Sequence, residues 1–355
     1  MQSTKAAATA PMAANLEHLA FAKVDRPVNS EGVSATSVRV GVSHRFPDFI
    51  IGGAPKCGTT SLHFVLGQHA DIGLPDEEIH YFDADDPITH PDFFFVKNGA
   101  LIHYDNTAGS TDFRAQYADS FSHVSGAQWV GEDSTTYLFS EVAPVRIKAM
   151  LPEVKLIFML RDPVARAYSQ YWHLVRTARI ACTFEKAITA HPSIMLGSTY
   201  LPHLQRFQTL FPQEQIKVLL FEDFTANTQG SVDAVTDYLG APRMAVSEEK
   251  SWFNKTVYPT SLDAQLALNR IGRQIVAMRY ANHLGSRFGA RARLARRLHY
   301  LWFAHANRLF LRSEKKPAMR GETRAFLTEH FSRRNQGLSR FLGRDLSKVW
   351  KGFDG

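Results

Sequence analysis

Cysteine is scarce: Cys57 and Cys182 are the only two in 355 residues. Two thiols cannot build a disulfide framework, and they lack metal-ligand spacing, so a reducing cytoplasm is the expected compartment. No run of about 18 apolar residues occurs, which excludes a membrane-spanning helix. The N-terminus has no leucine-rich core of a secretory signal, since Lys5 is followed by small residues, and Glu17 and Asp25 argue against a transit peptide. Internal repeats are absent. Charged residues reach only 21%, near the globular average, so the composition excludes wholesale disorder. What is present is 45% hydrophobic content, enough for one large domain with or without an appendage. The formal net charge of +7 suits an anionic ligand, nucleic acid or a membrane surface without choosing among them.

Residues 1–45 are rich in Ala, Ser, Thr and Val without a period, and read as a mobile tail with one helical turn near Leu16–Phe21. Order is expected from residue 46 to 355. Short apolar runs at 46–52, 129–131, 155–160 and 216–221 read as buried strands. Helical stretches at 59–69, 141–151, 164–176, 199–211 and 231–239 alternate with them. That alternation predicts an α/β fold with a central parallel sheet flanked by helices, its ligands at the carboxyl ends of the strands. Residues 262–320 read as a basic helical insert. Between 264 and 313 there is no Asp or Glu but ten arginines, interleaved with Leu, Ile, Trp and Phe at helical spacing. A last helix is expected over 321–342.

The strand at Ile50 runs into Gly52-Gly53-Ala54-Pro55-Lys56-Cys57-Gly58-Thr59-Thr60-Ser61-Leu62 and then a helix. Glycines let backbone N–H groups curl toward an anion, the helix N-terminus adds its dipole, and Thr59, Thr60 and Ser61 add hydroxyl donors. Gly53 and Gly58 have the separation of a nucleotide kinase loop. Thr59, however, stands where the kinase lysine belongs, and the only lysine, Lys56, lies inside the loop. The second anion-binding turn is Arg161-Asp162-Pro163, from which Arg161 and Ser169, two turns along, can converge on one phosphate. For proton transfer, Glu78 and His80 are candidates; in an extended conformation they share one side.

These segments resemble the PAPS-dependent sulfotransferases, most closely the carbohydrate (heparan-sulfate-type) and bacterial members, where PAPS is 3′-phosphoadenosine-5′-phosphosulfate. Pro55–Leu62 resembles their 5′-phosphosulfate loop, and Arg161 with Ser169 their 3′-phosphate motif. The resemblance implies a P-loop-like three-layer fold and in-line sulfuryl transfer to a hydroxyl of a carbohydrate or glycolipid. Lys56, Cys57, Gly58, Thr59, Thr60 and Ser61 would hold the cofactor, with Lys56 steadying the leaving phosphate and no metal required. Glu77-Glu78-Ile79-His80-Tyr81-Phe82-Asp83 is similar to the family's Glu-x-His-Phe-Phe-Asp element, which makes Glu78 the base and His80 its support, with His80 as the other option. Glu132, Asp133 and Tyr137 fall on the family's substrate segment, Asp133 standing where the heparan-sulfate enzymes carry Lys. Phe253-Asn254-Lys255-Thr256 resembles a turn near the cofactor, adding Asn254, Lys255 and Thr256 to the cofactor set, and Tyr200 is a further nucleotide contact. The likeness covers about 47–258 and resumes after 321.

Two rival classes remain open from the residues. One is an ATP-dependent kinase on the same loop, against which the position of Lys56 and the Arg161/Ser169 pair count. The other is a non-catalytic protein binding a membrane surface through the arginine-rich segment. Nucleic acid is not expected, because that segment lacks RNP-like features. The insert itself reads equally as core-packing helices with a solvated arginine face or as a basic amphipathic surface for anionic lipid.

Overall fold

A computed structural model describes residues 45–103, 112–247, 257–283, 290–307, 310–313 and 315–353. The expected tail, and the Asn254-Lys255-Thr256 turn, lie outside the described residues.

The chain starts with β1 (Phe49–Gly53), α1 (Thr59–Leu66) and β2 (Ile72–Gly73), then a hairpin of β3 (Phe94–Lys97) and β4 (Ala100–His103). Next come α2 (Phe113–Asp119), β5 (Trp129–Asp133), α3 (Ala143–Met150), β6 (Lys155–Leu160) and α4 (Pro163–Arg176). Short helices α5 (Phe184–Ala190) and α6 (Pro192–Leu196) lead to α7 (Tyr200–Gln208), β7 (Ile216–Leu220), α8 (Phe221–Ala226) and α9 (Thr228–Leu239). β8 (Tyr258–Pro259) precedes the insert, which holds α10 (Leu262–His283), α11 (Ala290–Leu301) and β9 (Leu311–Ser313), and α12 (Gly321–Arg334) and α13 (Leu338–Phe341) follow.

The sheet order is β2-β5-β1-β6-β7, with every pairing parallel. All five residues of β1 are buried, as is Leu156–Leu160 of β6, which is why these strands read as unbroken apolar runs rather than alternating ones. The chain runs from β1 to β2 and β5 on one side and then crosses to β6 and β7 on the other, so β1 lies at the switch point of the sheet. The loops after β1, β5 and β6 therefore meet at one crevice.

Helix α4 is the pivot of the molecule. Asp162 caps it, accepting from the Ala165 N–H, and Pro163 fills its first turn. Its apolar face, with Tyr168, Tyr171, Trp172 and Val175, forms a second core with Phe184, Leu266, Leu327 and Phe331. Its opposite face turns to the crevice. The insert is fastened to the end of α4 by a buried amide network. Asn269 Nδ2 donates to the carbonyls of Val175 (2.7 Å) and Ile180 (2.9 Å), Asn307 Nδ2 donates to that of Arg176 (2.7 Å), and Gln265 donates to both asparagines. Carbonyls that a helix end leaves unpaired are thereby satisfied. Gly272 permits the close approach: a Cβ there would lie 2.6 Å from the Trp302 ring and 2.8 Å from Ala178. The helix expected over 321–342 is two helices, because Gly337 at φ 94° breaks it.

Candidate active site

The loop between β1 and α1 forms the floor of the crevice. Gly58 sits at φ 94°, and a Cβ there would press 2.8 Å from the Phe221 ring, so only glycine fits. The first-turn N–H groups of α1, at Thr59 and Thr60, have no intrahelical acceptor, the arrangement that lets a helix N-terminus receive an anion. Lys56 takes the left-handed conformation at φ 71° and is half-buried. Burial, then the positive charge of Arg176, opposed by Glu78 and assisted by Arg166 and Arg161, pulls its amine down to about 8. Cys57 is fully buried, and burial pushes its thiol up to about 11, so it packs rather than reacts.

Arg166 holds the loop in place, a role the linear sequence does not announce. It is completely buried; Nε donates to the Pro55 carbonyl at 2.9 Å, and Nη1 to those of Ser193 (2.9 Å) and Ile194 (3.0 Å). Arg161, just past β6, lies over the Phe221 ring at 4.3 Å and donates to the Lys56 carbonyl at 3.3 Å. Ser169 is half-buried on α4. Lys316, absent from the sequence-based set, joins this region: burial, then Arg161 and Arg324, lowers it to about 8. Tyr200, expected at the nucleotide, is instead fully buried and donates to the Arg161 carbonyl at 2.7 Å, steadying the turn from behind.

Glu78 and His80 do come together, but not by strand alternation. The segment is irregular, and His80 at φ 52° folds its ring back so that Nε2 lies 3.0 Å from Glu78 Oε2. The Thr135 hydroxyl donates to Glu78, 3.1 Å and 3.2 Å from its two oxygens. Desolvation by surrounding protein alone would lift the Glu78 carboxyl. The hydrogen bond and charge of His80, with the Thr135 hydroxyl and amide, outweigh it and hold Glu78 below the usual range. For His80 the balance is the mirror image. Burial disfavours its charge, yet Glu78, then Asp83 and Glu132, hold it above the ordinary histidine value.

Behind His80 stands a network invisible to spacing arguments. The Thr136 hydroxyl donates to Asp83 Oδ2 at 2.7 Å and lies 3.2 Å from both His80 Nδ1 and His90 Nε2. Since Thr136 has one proton and spends it on the carboxylate, His80 Nδ1 is the donor in its own contact. Ligand atoms of His80, Asp83 and His90 lie within 4.8 Å of one another, a grouping able to hold a cation. The Thr136 hydroxyl stands among them and closes the trio with hydrogen bonds.

The expected substrate segment is corrected in two places. Glu132 and Tyr137 are fully buried in the core, where Glu132 accepts from the hydroxyls of Tyr117, Tyr137 (2.5 Å) and Ser134 (2.7 Å). Ser134 in turn accepts from the His80 N–H at 2.9 Å, so this network supports the backbone of His80 and does not face an acceptor. The likeness to a substrate motif is carried by residues whose work is internal. Asp133 is 6% exposed, 3.4 Å from His63 Nδ1; burial, further raised by Glu78, moves its carboxyl up to about 6.

Lys56, Thr59, Thr60, Glu78 and His80 line one cavity of about 210 Å3. A phosphate cradle, a cation inside it and a carboxylate–imidazole pair on the same cavity suit transfer of an anionic group onto a hydroxyl. Known proteins are similar to this chain in sequence. Over 222 residues the chain is 31% identical to the bifunctional heparan sulfate N-deacetylase/N-sulfotransferase 2 of Bos taurus, covering 55% of this chain and 22% of that protein. It is 29% identical over 224 residues to the human heparan sulfate glucosamine 3-O-sulfotransferase 3B1, covering 60% and 51%. The chain thus spans between about a fifth and about half the length of these relatives. A sulfotransferase structure from Alicyclobacillus acidocaldarius is similar at 30% identity and a TM-score of 0.47, covering 66% of this chain and 96% of that one. The model of the Sulfotransferase family matches residues 47–245, the stretch that contains the glycine loop, Glu78, His80 and the Arg161 turn, and the chain belongs to that family.

Proposed function

We propose that this chain transfers the sulfuryl group of PAPS to a hydroxyl of a carbohydrate or glycolipid acceptor. One observation carries the reading: Lys56, inside a strand–loop–helix phosphate cradle, shares a single cavity with Glu78 and His80. The α1 N-terminus and the loop hold the 5′-phosphosulfate, and Arg161 with Ser169 takes the 3′-phosphate, with Lys316 as an added cation. The acceptor O–H donates to Glu78. As the acceptor oxygen bonds to sulfur, the bond from sulfur to the phosphate oxygen breaks, Lys56 meets the charge left on that phosphate, and the proton passes to Glu78, beside His80. Positioning and charge stabilisation do the work, as in phosphoryl transfer.

A thermal-shift titration with adenosine 3′,5′-bisphosphate against ATP with Mg2+ tests this. A ligand at about 100 times its dissociation constant adds about 2.7 kcal/mol, so the bisphosphate is expected to raise the melting temperature by several degrees. A response to ATP alone replaces this reading with the kinase.

The proposal extends to an anionic membrane as partner. Ile271 and Met278, two turns apart on α10, and Leu294, Tyr300 and Leu301 on α11 are exposed beside Arg270, Arg273 and Arg297, which are also exposed. Solvated arginines alone suit many anions; large apolar side chains among them suit a bilayer interface. Sedimentation with phosphatidylglycerol vesicles is expected at low salt, about 1 kcal/mol per basic residue at the surface, with loss at high salt and with phosphatidylcholine. The double variant Ile271→Glu, Met278→Glu is expected to stay in the supernatant. Equal behaviour of both lipids removes this partner.

A further inference from the structure

The hydrogen-bonded group behind His80 has the composition of a metal site. His80, Asp83 and His90 bring two imidazole nitrogens and one carboxylate oxygen within 4.8 Å of one another. Asp83 is fully buried and His90 is 5% exposed, so packing holds these side chains in place. From this geometry we infer that His80, Asp83 and His90 form a binding site for a divalent first-row transition ion, with Zn2+ as the best fit. We infer further that the ion is coupled through His80 to the base Glu78. The site stands on its own geometry, and only its meaning as a brake on transfer rests on the sulfotransferase reading.

The spacing suits four-coordinate binding. Zn2+ takes imidazole nitrogen and carboxylate oxygen at about 2.0–2.2 Å, which puts neighbouring corners of a tetrahedron about 3.3 Å apart. Asp83 Oδ1 lies 2.9 Å from His90 Nε2 and 3.9 Å from His80 Nδ1. The Thr136 hydroxyl stands at the fourth corner, 3.2 Å from each of those nitrogens. It donates its proton to Asp83 Oδ2 at 2.7 Å, which fixes the carboxylate and leaves an oxygen lone pair for the ion. Two imidazoles with one carboxylate suit Zn2+ and its transition-metal neighbours, whereas Mg2+ and Ca2+ call for oxygen ligands. The ion replaces a proton at each nitrogen. His80 Nδ1 donates to Thr136, and His90 Nε2 donates to Asp83, whose carboxylate only accepts.

The outer partner of such a site is also in place. A histidine that binds a metal through one nitrogen usually donates its other N–H to a carboxylate, a carbonyl or water. His80 Nε2 lies 3.0 Å from Glu78 Oε2. The way in is the cavity itself, which His80, His90 and Thr136 line together with Lys56 and Glu78. The effect on Glu78 follows from charge. A dication on His80 Nδ1 strengthens the hydrogen bond from Nε2 and stabilises the Glu78 carboxylate against taking a proton, so the base weakens.

The test uses the full-length chain stripped with EDTA. Co2+, whose visible absorption reports four-coordinate geometry, is expected to bind at one ion per chain and to be displaced by Zn2+. His90→Ala and Asp83→Asn are expected to lose the band, while their melting shift with adenosine 3′,5′-bisphosphate stays at the wild-type value and shows that they fold. Glu78→Gln, which removes the outer carboxylate, should weaken Zn2+ binding about tenfold or more. With any glycoside that the wild-type chain sulfates, kcat should fall at least tenfold under saturating Zn2+ and return with EDTA, and Mg2+ should have no such effect. Absence of a Co2+ band at millimolar concentration, or a band that persists in His90→Ala, overturns the site. Equal Zn2+ affinity in Glu78→Gln, or full turnover by the Zn2+-loaded chain, overturns the coupling. Failure of the wild-type chain to bind the bisphosphate strikes the sulfotransferase reading instead, and the Co2+ and Zn2+ titrations then decide the site and its coupling by themselves.

Discussion

Lys56→Met is expected to lower kcat by about 10²–10³, the loss typical of removing one preorganised group from developing transition-state charge. Binding of the bisphosphate should survive, because the cradle's N–H groups and the α1 dipole do not depend on that side chain. A pH profile separates this role from a structural one. Burial and the surrounding arginines bring the Lys56 amine to about 8 in the free protein, and the protonated form is the one that serves. The kcat/KM for PAPS reports the free enzyme, so it should be level below that value and fall as pH rises through about 8. In Lys56→Arg, whose guanidinium stays charged, the alkaline fall should move out of range while part of the activity remains. A fall at about 8 that persists in the arginine variant assigns it to another group.

How much of this was legible in the chain depends on what each residue does. Buried parallel strands leave continuous apolar runs, so β1, β6 and β7 could be read, as could the glycine loop and the Arg161 turn at their ends. β2 is two residues long and carries no period, and the β3–β4 hairpin and helices α5 and α6 went unread for similar reasons. Within the site, local motifs were readable and through-space roles were not. Arg166 looks like any helix-surface arginine until its three carbonyl partners are seen. Glu132 looks like a substrate contact because its segment resembles the family's substrate motif. Its burial depends on Tyr117, fifteen residues earlier, and on Tyr137. His90 and Thr136 come to His80 only through the fold. The closeness of Glu78 and His80 was expected from an extended strand, whereas it comes from a left-handed backbone at His80.

Glu78 and His80, the two candidates for the base, are perturbed in opposite directions. Glu78→Gln is expected to lower kcat by about 10²–10⁴, the usual contribution of a positioned general base, with little change in the affinity for the bisphosphate. His80→Gln should cost less, since it removes a support and leaves the carboxylate. The pH dependence carries the same distinction. His80 and the Thr135 hydroxyl hold the Glu78 carboxyl below its ordinary value, so Glu78 is ionised throughout pH 5 to 7, and a rate that needs its carboxylate is level there. His80 is held above its ordinary value, so a rate that needed neutral His80 would climb with pH across and beyond that same range. The geometry favours the level profile. His80 Nδ1 donates to Thr136, and its Nε2 shares a proton with Glu78, so its ring has no lone pair free for a substrate hydroxyl. Beyond His80, Glu78 is held by the hydroxyl and amide of Thr135, and a third of its side chain still meets solvent at the cavity. A climbing profile, together with a Glu78→Gln variant that keeps most of its activity, would transfer the role of base to His80.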